Sequence, residues 1–254
     1  DILDSSYKKI GKFILIKDED IFVTSYPKSG NTWVRLIIAN MLFKENVSYN
    51  NIDDYLPEFY SWNESSFLNK KNRIFKSHDY FDHRFKKVIY IVRDPREVLV
   101  SSYYFQMKIG SISRKYSKRE FFNEFINGTY DSNFGSWDEN VGSWYGAKNK
   151  NIIFMRYEDL INNPKKEIRR LGTFLNKKIS NKKLNKILKN TSFNSLKEKE
   201  KKISLNWPSL GKDQKDLHFF RSGKKESWKK FLLPRENKLI KKIWSKNMRV
   251  FKYN

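Results

Sequence analysis

The chain has 254 residues, 39% of them hydrophobic and 16% aromatic, with 52 Lys+Arg against 28 Asp+Glu for a formal charge of +24. That length holds one sizeable α/β domain or two small ones with a substantial buried core. No run approaches the ~18 consecutive apolar residues of a membrane span, no charged-then-apolar leader opens the chain, and the absence of cysteine excludes disulfides, thiolate metal sites and thiol nucleophiles.

A soluble, cytoplasmic protein is therefore expected, with a short N-terminal piece preceding Asp1. The basic balance would attract nucleic acid, anionic lipid or a polyanionic substrate. The accompanying surplus of asparagine and isoleucine fits an AT-rich coding sequence as a source of much of the lysine, since solvated lysine faces are the default reading. There is no internal repeat and no low-complexity linker, and one domain over residues 1–254 is expected.

In chain order, Ile21 to Ser25 reads as a buried strand. It runs into Tyr26-Pro27-Lys28-Ser29-Gly30-Asn31-Thr32-Trp33, and then into a helix through Val34, Ile37, Ile38, Met41 and Leu42 that ends near Phe43. This is the sequence form of an anion cradle. The backbone N–H groups of Ser29, Gly30, Asn31 and Thr32 can point at a phosphate, the helix start adds its positive dipole end, and Lys28 supplies a full charge. It is not the usual nucleotide-triphosphate loop, in which the lysine follows the last glycine; here Lys28 precedes Gly30.

Tyr49 to Lys70 is polar and aromatic with few periodic cues. Lys87 to Val92 is a second strand, stopped by Arg93-Asp94-Pro95 and followed by a helix through Val98, Leu99 and Tyr103. Lys108 to Trp144 mixes a short helical signal around Phe121 to Ile126 with Gly and Asn turns. Asn151 to Met155 is a third strand, after which Pro164 opens a helix through Ile168, Leu171 and Leu175. Strands separated by helices predict an α/β fold, a central parallel sheet flanked by helices on both faces. Ligands of such sheets gather beyond the carboxyl ends of the strands, where Lys28, Arg93 and Tyr157 all fall. The two irregular stretches are expected to carry acceptor specificity.

The segment Tyr-Pro-Lys-Ser-Gly-x-Thr-Trp resembles the 5′-phosphosulfate loop of the cytosolic sulfotransferase family, whose donor is 3′-phosphoadenosine 5′-phosphosulfate (PAPS). Phe75-Lys76-Ser77-His78 resembles the family's Lys-(Thr/Ser)-His segment. The resemblance makes His78 the base that takes the acceptor proton, a task suited to a neutral imidazole with a pKa near working pH. Arg93-Asp94-Pro95-Arg96-Glu97, continuing to Ser101, is similar to the stretch whose arginine and serine hold the donor's 3′-phosphate. Arginine fits because its planar fork meets phosphate oxygens bidentately. Tyr157-Glu158-Asp159 and Thr191-Ser192-Phe193 match segments that neighbour adenine, and Trp33 looks like the aromatic that stacks on the base.

Phe219-Phe220-Arg221-Ser222-Gly223-Lys224-Lys225-Glu226-Ser227-Trp228-Lys229 is similar to the segment that closes over the 3′-phosphate through Arg221, Ser222 and Gly223. Ser222 stands where the family has lysine, and Glu226-Ser227 where it has Gly-Asp. Phe231 to Glu236 does not reproduce the dimer signature of animal members. The resemblance implies in-line sulfuryl transfer from PAPS, with adenosine 3′,5′-bisphosphate as product and no metal. Lys28 and Lys76 would neutralise the charge that grows on the bridging oxygen. The acceptor is expected to be a small molecule, glycan or lipid bearing a hydroxyl or amine. Nucleic acid is not expected as a partner, and any membrane contact would be peripheral attraction to anionic surfaces. Two alternatives stay open: a phosphoryl-transferring nucleotide enzyme dependent on magnesium, and a non-catalytic basic nucleic-acid-binding protein.

Overall fold

The computed structural model describes residues 16–44, 47–59, 73–131, 133–147, 151–203, 218 and 226–253. Four strands, β1 (Ile21–Ser25), β2 (Ile74–Ser77), β3 (Lys87–Val92) and β4 (Ile152–Arg156), form one parallel sheet in the order β2-β1-β3-β4. Helices α1 (Asn31–Leu42) and α2 (Ile52–Tyr55) connect β1 to β2. Between β3 and β4 lie α3 (Pro95–Lys108), α4 (Lys118–Asn127) and α5 (Trp137–Tyr145). After β4 come α6 (Tyr157–Asn162), α7 (Pro164–Phe174), α8 (Asn181–Asn190) and α9 (Phe193–Ile203). A 3₁₀ turn at Ser227–Lys230 precedes α10 (Pro234–Ile243) and α11 (Ser245–Val250).

Successive strand side chains point to opposite faces, and the two faces differ in chemistry. Val23, Ile89, Ile91 and Met155 pack under Val34, Ile37 and Ile38 of α1 and under Ile168 and Leu171 of α7, an aliphatic layer. Phe22, Phe75 and Tyr90 pack under Phe85, Trp137 and Trp144, with Trp244, Phe251 and Tyr253 of the C-terminal segment closing an aromatic layer. Phe22 stacks on Phe85 at 3.6 Å between centroids. β3 is buried almost along its whole length, which is why it reads as a continuous apolar run.

Two elements depart from the sequence expectation. β2 is a fourth strand where three were expected. It is four residues long and its Lys76 is only partly buried, so it carries neither the length nor the unbroken apolar run of a buried strand. α5 lies inside a stretch read mainly as turns. Gly142 and the buried Asn140 interrupt its apolar face of Trp137, Val141 and Trp144. The Ser136/Glu139 capping box that starts it is the sequence signal that marks it.

The parallel sheet is fastened at its lower edge by Asp20 and Arg73, whose side chains are 0% and 1% exposed. Arg73 Nε donates to Asp20 Oδ1 at 2.7 Å, its Nη2 pairs with Oδ2, and the Ile21 amide donates to the Arg73 carbonyl at 3.0 Å. Removing one partner of a buried ion pair leaves the other uncompensated. Asp20→Ala is expected to cost about 3–5 kcal/mol of unfolding free energy in urea titrations, and Asp20→Ala/Arg73→Met to recover most of it.

Candidate active site

The loop after β1 is built on two left-handed residues, Lys28 at φ 65° and Gly30 at φ 105°. A Cβ at position 30 would lie 2.6 Å from Tyr157 Cδ2, so glycine is required there for both its φ and its size. At Lys28 the same conformation costs a non-glycine residue ~1 kcal/mol, strain of the kind stored at functional loops. α1 then begins with no side-chain cap and no acidic residue in its first turn, leaving its leading N–H groups available to an anion.

Within this loop the expected donors divide. Ser29 is fully buried, and its amide donates to the Tyr26 carbonyl at 3.3 Å, so the turn itself uses that N–H. The Asn31 side chain also turns inward, donating to the carbonyls of Val23 at 2.9 Å and Ser77 at 3.4 Å. It pins the loop to the ends of β1 and β2. Gly30, Asn31, Thr32 and Trp33 border the cavity.

His78 follows β2 directly. Its Nδ1 lies 2.7 Å from the Ser25 carbonyl. A carbonyl can only accept, so Nδ1 carries the proton and Nε2 is left as the acceptor nitrogen. Asn140 Nδ2 donates to the His78 carbonyl at 3.0 Å, and Phe134 meets the imidazole edge-on at 5.6 Å. Against the expectation of a pKa near working pH, burial, and then the Lys76 charge, pull the His78 pKa from 6.5 down to about 3, which favours the neutral ring. Lys28 is likewise held well below the ordinary lysine value, by burial first and then by Arg93, Lys108 and Lys76. Its ammonium sits 3.6 Å over the Phe105 ring.

Lys76 pairs with Glu58 at 3.0 Å. Arg93 Nη1 donates to the Lys28 carbonyl at 3.1 Å, and its guanidinium lies 4.2 Å over the Tyr157 ring. Its Glu97 partner is 3.6 Å away. Trp33 meets Tyr157 edge-on at 5.4 Å, and its Nε1 donates to the Thr191 carbonyl at 2.9 Å. The Thr191 hydroxyl donates to Ile187 at 2.8 Å, so that side chain closes α8 and only its carbonyl serves the site. Phe193 opens α9 half-buried.

One cavity of about 580 Å³ gathers these groups. Lys28, Gly30, Asn31, Thr32, Trp33, Lys76, His78, Arg93, Ser101, Tyr157, Thr191 and Phe193 all line it. Ser29 does not reach its wall, and Arg221, Ser222 and Gly223 lie outside the described residues. The wall also holds Glu58, Phe105, Gln106, Tyr130, Asp131 and Phe134, which motif reading did not single out. Phe105 could have been found, since it stands four residues after Ser101 on one helix face. Tyr130, Asp131 and Phe134 belong to the irregular stretch expected to meet the acceptor, and no periodicity distinguishes them there. Among the described residues no group of three or more His, Cys, Asp or Glu is arranged to hold a metal ion, and no helix is long and apolar enough to cross a membrane.

The sulfotransferase domain family matches residues 18–252 of this chain. The chain belongs to that family. It is 30% identical to human sulfotransferase 2A1 over 75% of its length and 71% of that protein's. With the 3-beta-hydroxysteroid sulfotransferase of Cavia porcellus it shares 30% identity over 92% and 85% of the two chains. Mouse sulfotransferase SULT7A1 complexed with PAP has the same fold, with a TM-score of 0.76 and 24% identity over 97% of this chain and 89% of that one. Retinol dehydratase in complex with androsterone and PAP superposes equally well, at 0.76 and 21% identity over 97% and 85%.

The depressed His78 pKa of this sulfotransferase has a consequence for folding. The unfolded imidazole takes a proton below pH 6.5, whereas the folded one refuses it until about pH 3. His78 therefore favours the folded state above pH 6.5 and loses that contribution as pH falls through this window, by up to 1.36 kcal/mol per pH unit. In urea unfolding, the advantage of wild type over His78→Asn is expected to shrink steadily between pH 7 and 5; a constant difference would assign His78 an ordinary pKa.

Proposed function

We propose that this sulfotransferase moves the sulfuryl group of PAPS in line onto a hydroxyl or amine of a small-molecule, glycan or lipid acceptor, with His78 as the base. The observation that carries the reading is the Nδ1–H donated by His78 to the Ser25 carbonyl. It leaves Nε2 as the acceptor nitrogen of a residue that lines the same cavity as Lys28 and the uncapped start of α1. The cradle fits a 5′-phosphate. Its helix start has neither a cap nor a competing carboxylate, and the position of Gly30 admits no side chain.

PAPS supplies an activated sulfuryl group with a phosphate as leaving group. The chain's own residues do the rest. Lys28, with Lys76 assisting, offsets negative charge as it grows on the bridging oxygen, which favours the transition state over the ground state. Arg93 and Ser101 hold the 3′-phosphate, while Trp33, Tyr157 and Phe193 receive the adenine. His78 Nε2 accepts the acceptor's proton as its oxygen or nitrogen attacks sulfur.

The low proton affinity of His78 suits this order of events. Lys76, Arg35 and Lys28 are among the charges that depress it. An anion held between Lys28 and Lys76 offsets that pressure, so the imidazole gains basicity once the donor is in place. Free enzyme keeps the base neutral, and the loaded enzyme makes it effective. The relatives' names include steroid and amine sulfotransferases, and both acceptor types present a nucleophile such a base could deprotonate.

Adenosine 3′,5′-bisphosphate is expected to raise the thermal midpoint with the logarithm of its concentration over Kd, about 2.7 kcal/mol of stabilisation at a hundredfold excess over Kd. ATP with magnesium is expected to do far less. With PAPS and a phenol, a hydroxysteroid or an alkylamine as acceptor, Lys28→Ala should lose ~10²-fold or more in turnover, and His78→Asn ~10²–10⁴-fold. Both variants should still respond to the bisphosphate. Stabilisation by ATP alone would transfer the reading to phosphoryl transfer.

A further inference from the structure

Five large hydrophobic side chains are exposed among the described residues. Three of them, Leu233, Leu239 and Ile243, at 47%, 38% and 43%, fall at the start and along the outside of α10. The inner face of that helix is already committed, with Ile240 buried in the aromatic layer beside Trp244. Leu239 and Ile243, four residues apart, are neighbours at the half-exposed edge of the stripe that Glu236 and Ile240 bury. Single exposed leucines need no explanation, but a cluster does.

The charge around this cluster is one-sided. Between positions 233 and 250 stand Arg235, Lys238, Lys241, Lys242, Lys246 and Arg249, all exposed, against one acid. That acid, Glu236, is largely buried and accepts from the Leu233 amide at 2.8 Å, so its charge serves the start of α10. The exposed edge of this segment therefore presents aliphatic side chains among cations, with no exposed carboxylate between positions 233 and 250.

We propose that this edge docks on an anionic lipid surface, with Leu233, Leu239 and Ile243 entering the headgroup layer and Arg235, Lys238 and Lys242 meeting lipid phosphates and carboxylates. Each half of that match has a physical basis, apolar burial at the interface and attraction of each cation to the negative surface. A second copy of the chain is the poorer occupant. A two-fold dimer would set the same patch against itself, bringing two surfaces of the same charge sign together. A neutral protein surface would satisfy the leucines but not the cations.

The test is flotation of the full chain with vesicles of phosphatidylcholine alone and of phosphatidylcholine mixed with phosphatidylserine. Binding is expected only to the mixed vesicles, and raised salt should weaken it. Lys238→Glu/Lys242→Glu should abolish it, and Leu239→Asn/Ile243→Asn should reduce it about tenfold, since both the charge and the apolar contributions are needed. Lys182→Glu/Lys186→Glu on α8, against the opposite sheet face, should retain most of it. All six substitutions are of exposed residues, and far-UV circular dichroism checks that each variant is folded. Equal binding to both vesicle types, binding to neither, or equal loss in the α8 variant overturns the proposal. So does a concentration-dependent dimer, seen by light scattering, that Leu239→Asn/Ile243→Asn dissolves.

Discussion

The arrangement of the site rests on one constraint of the sheet, the pairing of β1 in parallel with β2 on one side and β3 on the other. That pairing aligns the carboxyl ends of three strands, so Lys28, His78 and Arg93 leave the sheet side by side although 65 residues separate the first from the last. The chain moves from β1 out to β2 and then crosses back to β3. The gap between β1 and β3 is thus the point where helices part to opposite faces and a ligand can enter. Hydrogen bonds then lock the three ends together. His78 is held by the Ser25 carbonyl, Arg93 by the Lys28 carbonyl, and the loop between them by Asn31. A shift in register along β2 would break the first of these and turn His78 to the other face.

Electrostatics follows from that crowding. Burial holds Lys28 below the ordinary lysine value first, and the nearby charges of Arg93, Lys108 and Lys76 add to it. Carboxylates stand among them: Glu58 pairs with Lys76, Glu97 lies 3.6 Å from Arg93, and Glu200 pairs with Lys108 at 2.7 Å inside the protein. A cavity wall that holds its lysine below the ordinary value gains when an anion enters, because proton affinity and anion affinity rise together. In the proposed mechanism, donor binding and activation of the imidazole are two results of one charge balance.

Much of this was legible in the sequence because the fold needs special residues at fixed places. Gly30 is forced by a positive φ and by the Tyr157 ring, and Arg93 stands at the end of a fully apolar strand, so both left local signatures. The same is true of the Pro95 and Pro164 helix starts. β2 was not legible. Its burial comes from partners on β1 and in the 57–59 segment, not from its own pattern, and Lys76 breaks the apolar run where the site needs it. Glu58 was hidden for a similar reason. It is brought to Lys76 by a parallel bridge from an irregular segment, a tertiary relation with no periodic trace. Ser29 shows the converse limit. The motif places it in the cradle, but only the backbone geometry reveals that its N–H is spent on the turn.

The excess of basic residues thus divides into two populations with different physics. The cations of the cavity wall are few, largely shielded from solvent and set by the strand ends, so added salt screens them weakly. The cations of α10 and α11 stand in water, where a Debye length of ≈ 10 Å at 0.1 M ionic strength limits their reach. A composition biased toward lysine could produce the second population without selection, but it would not arrange exposed leucines at helical spacing among those lysines or leave the adjoining acid buried. Nor would it place Lys28 in a left-handed conformation at the mouth of an uncapped helix. In both places it is the geometry around the charge, more than its amount, that argues for a ligand.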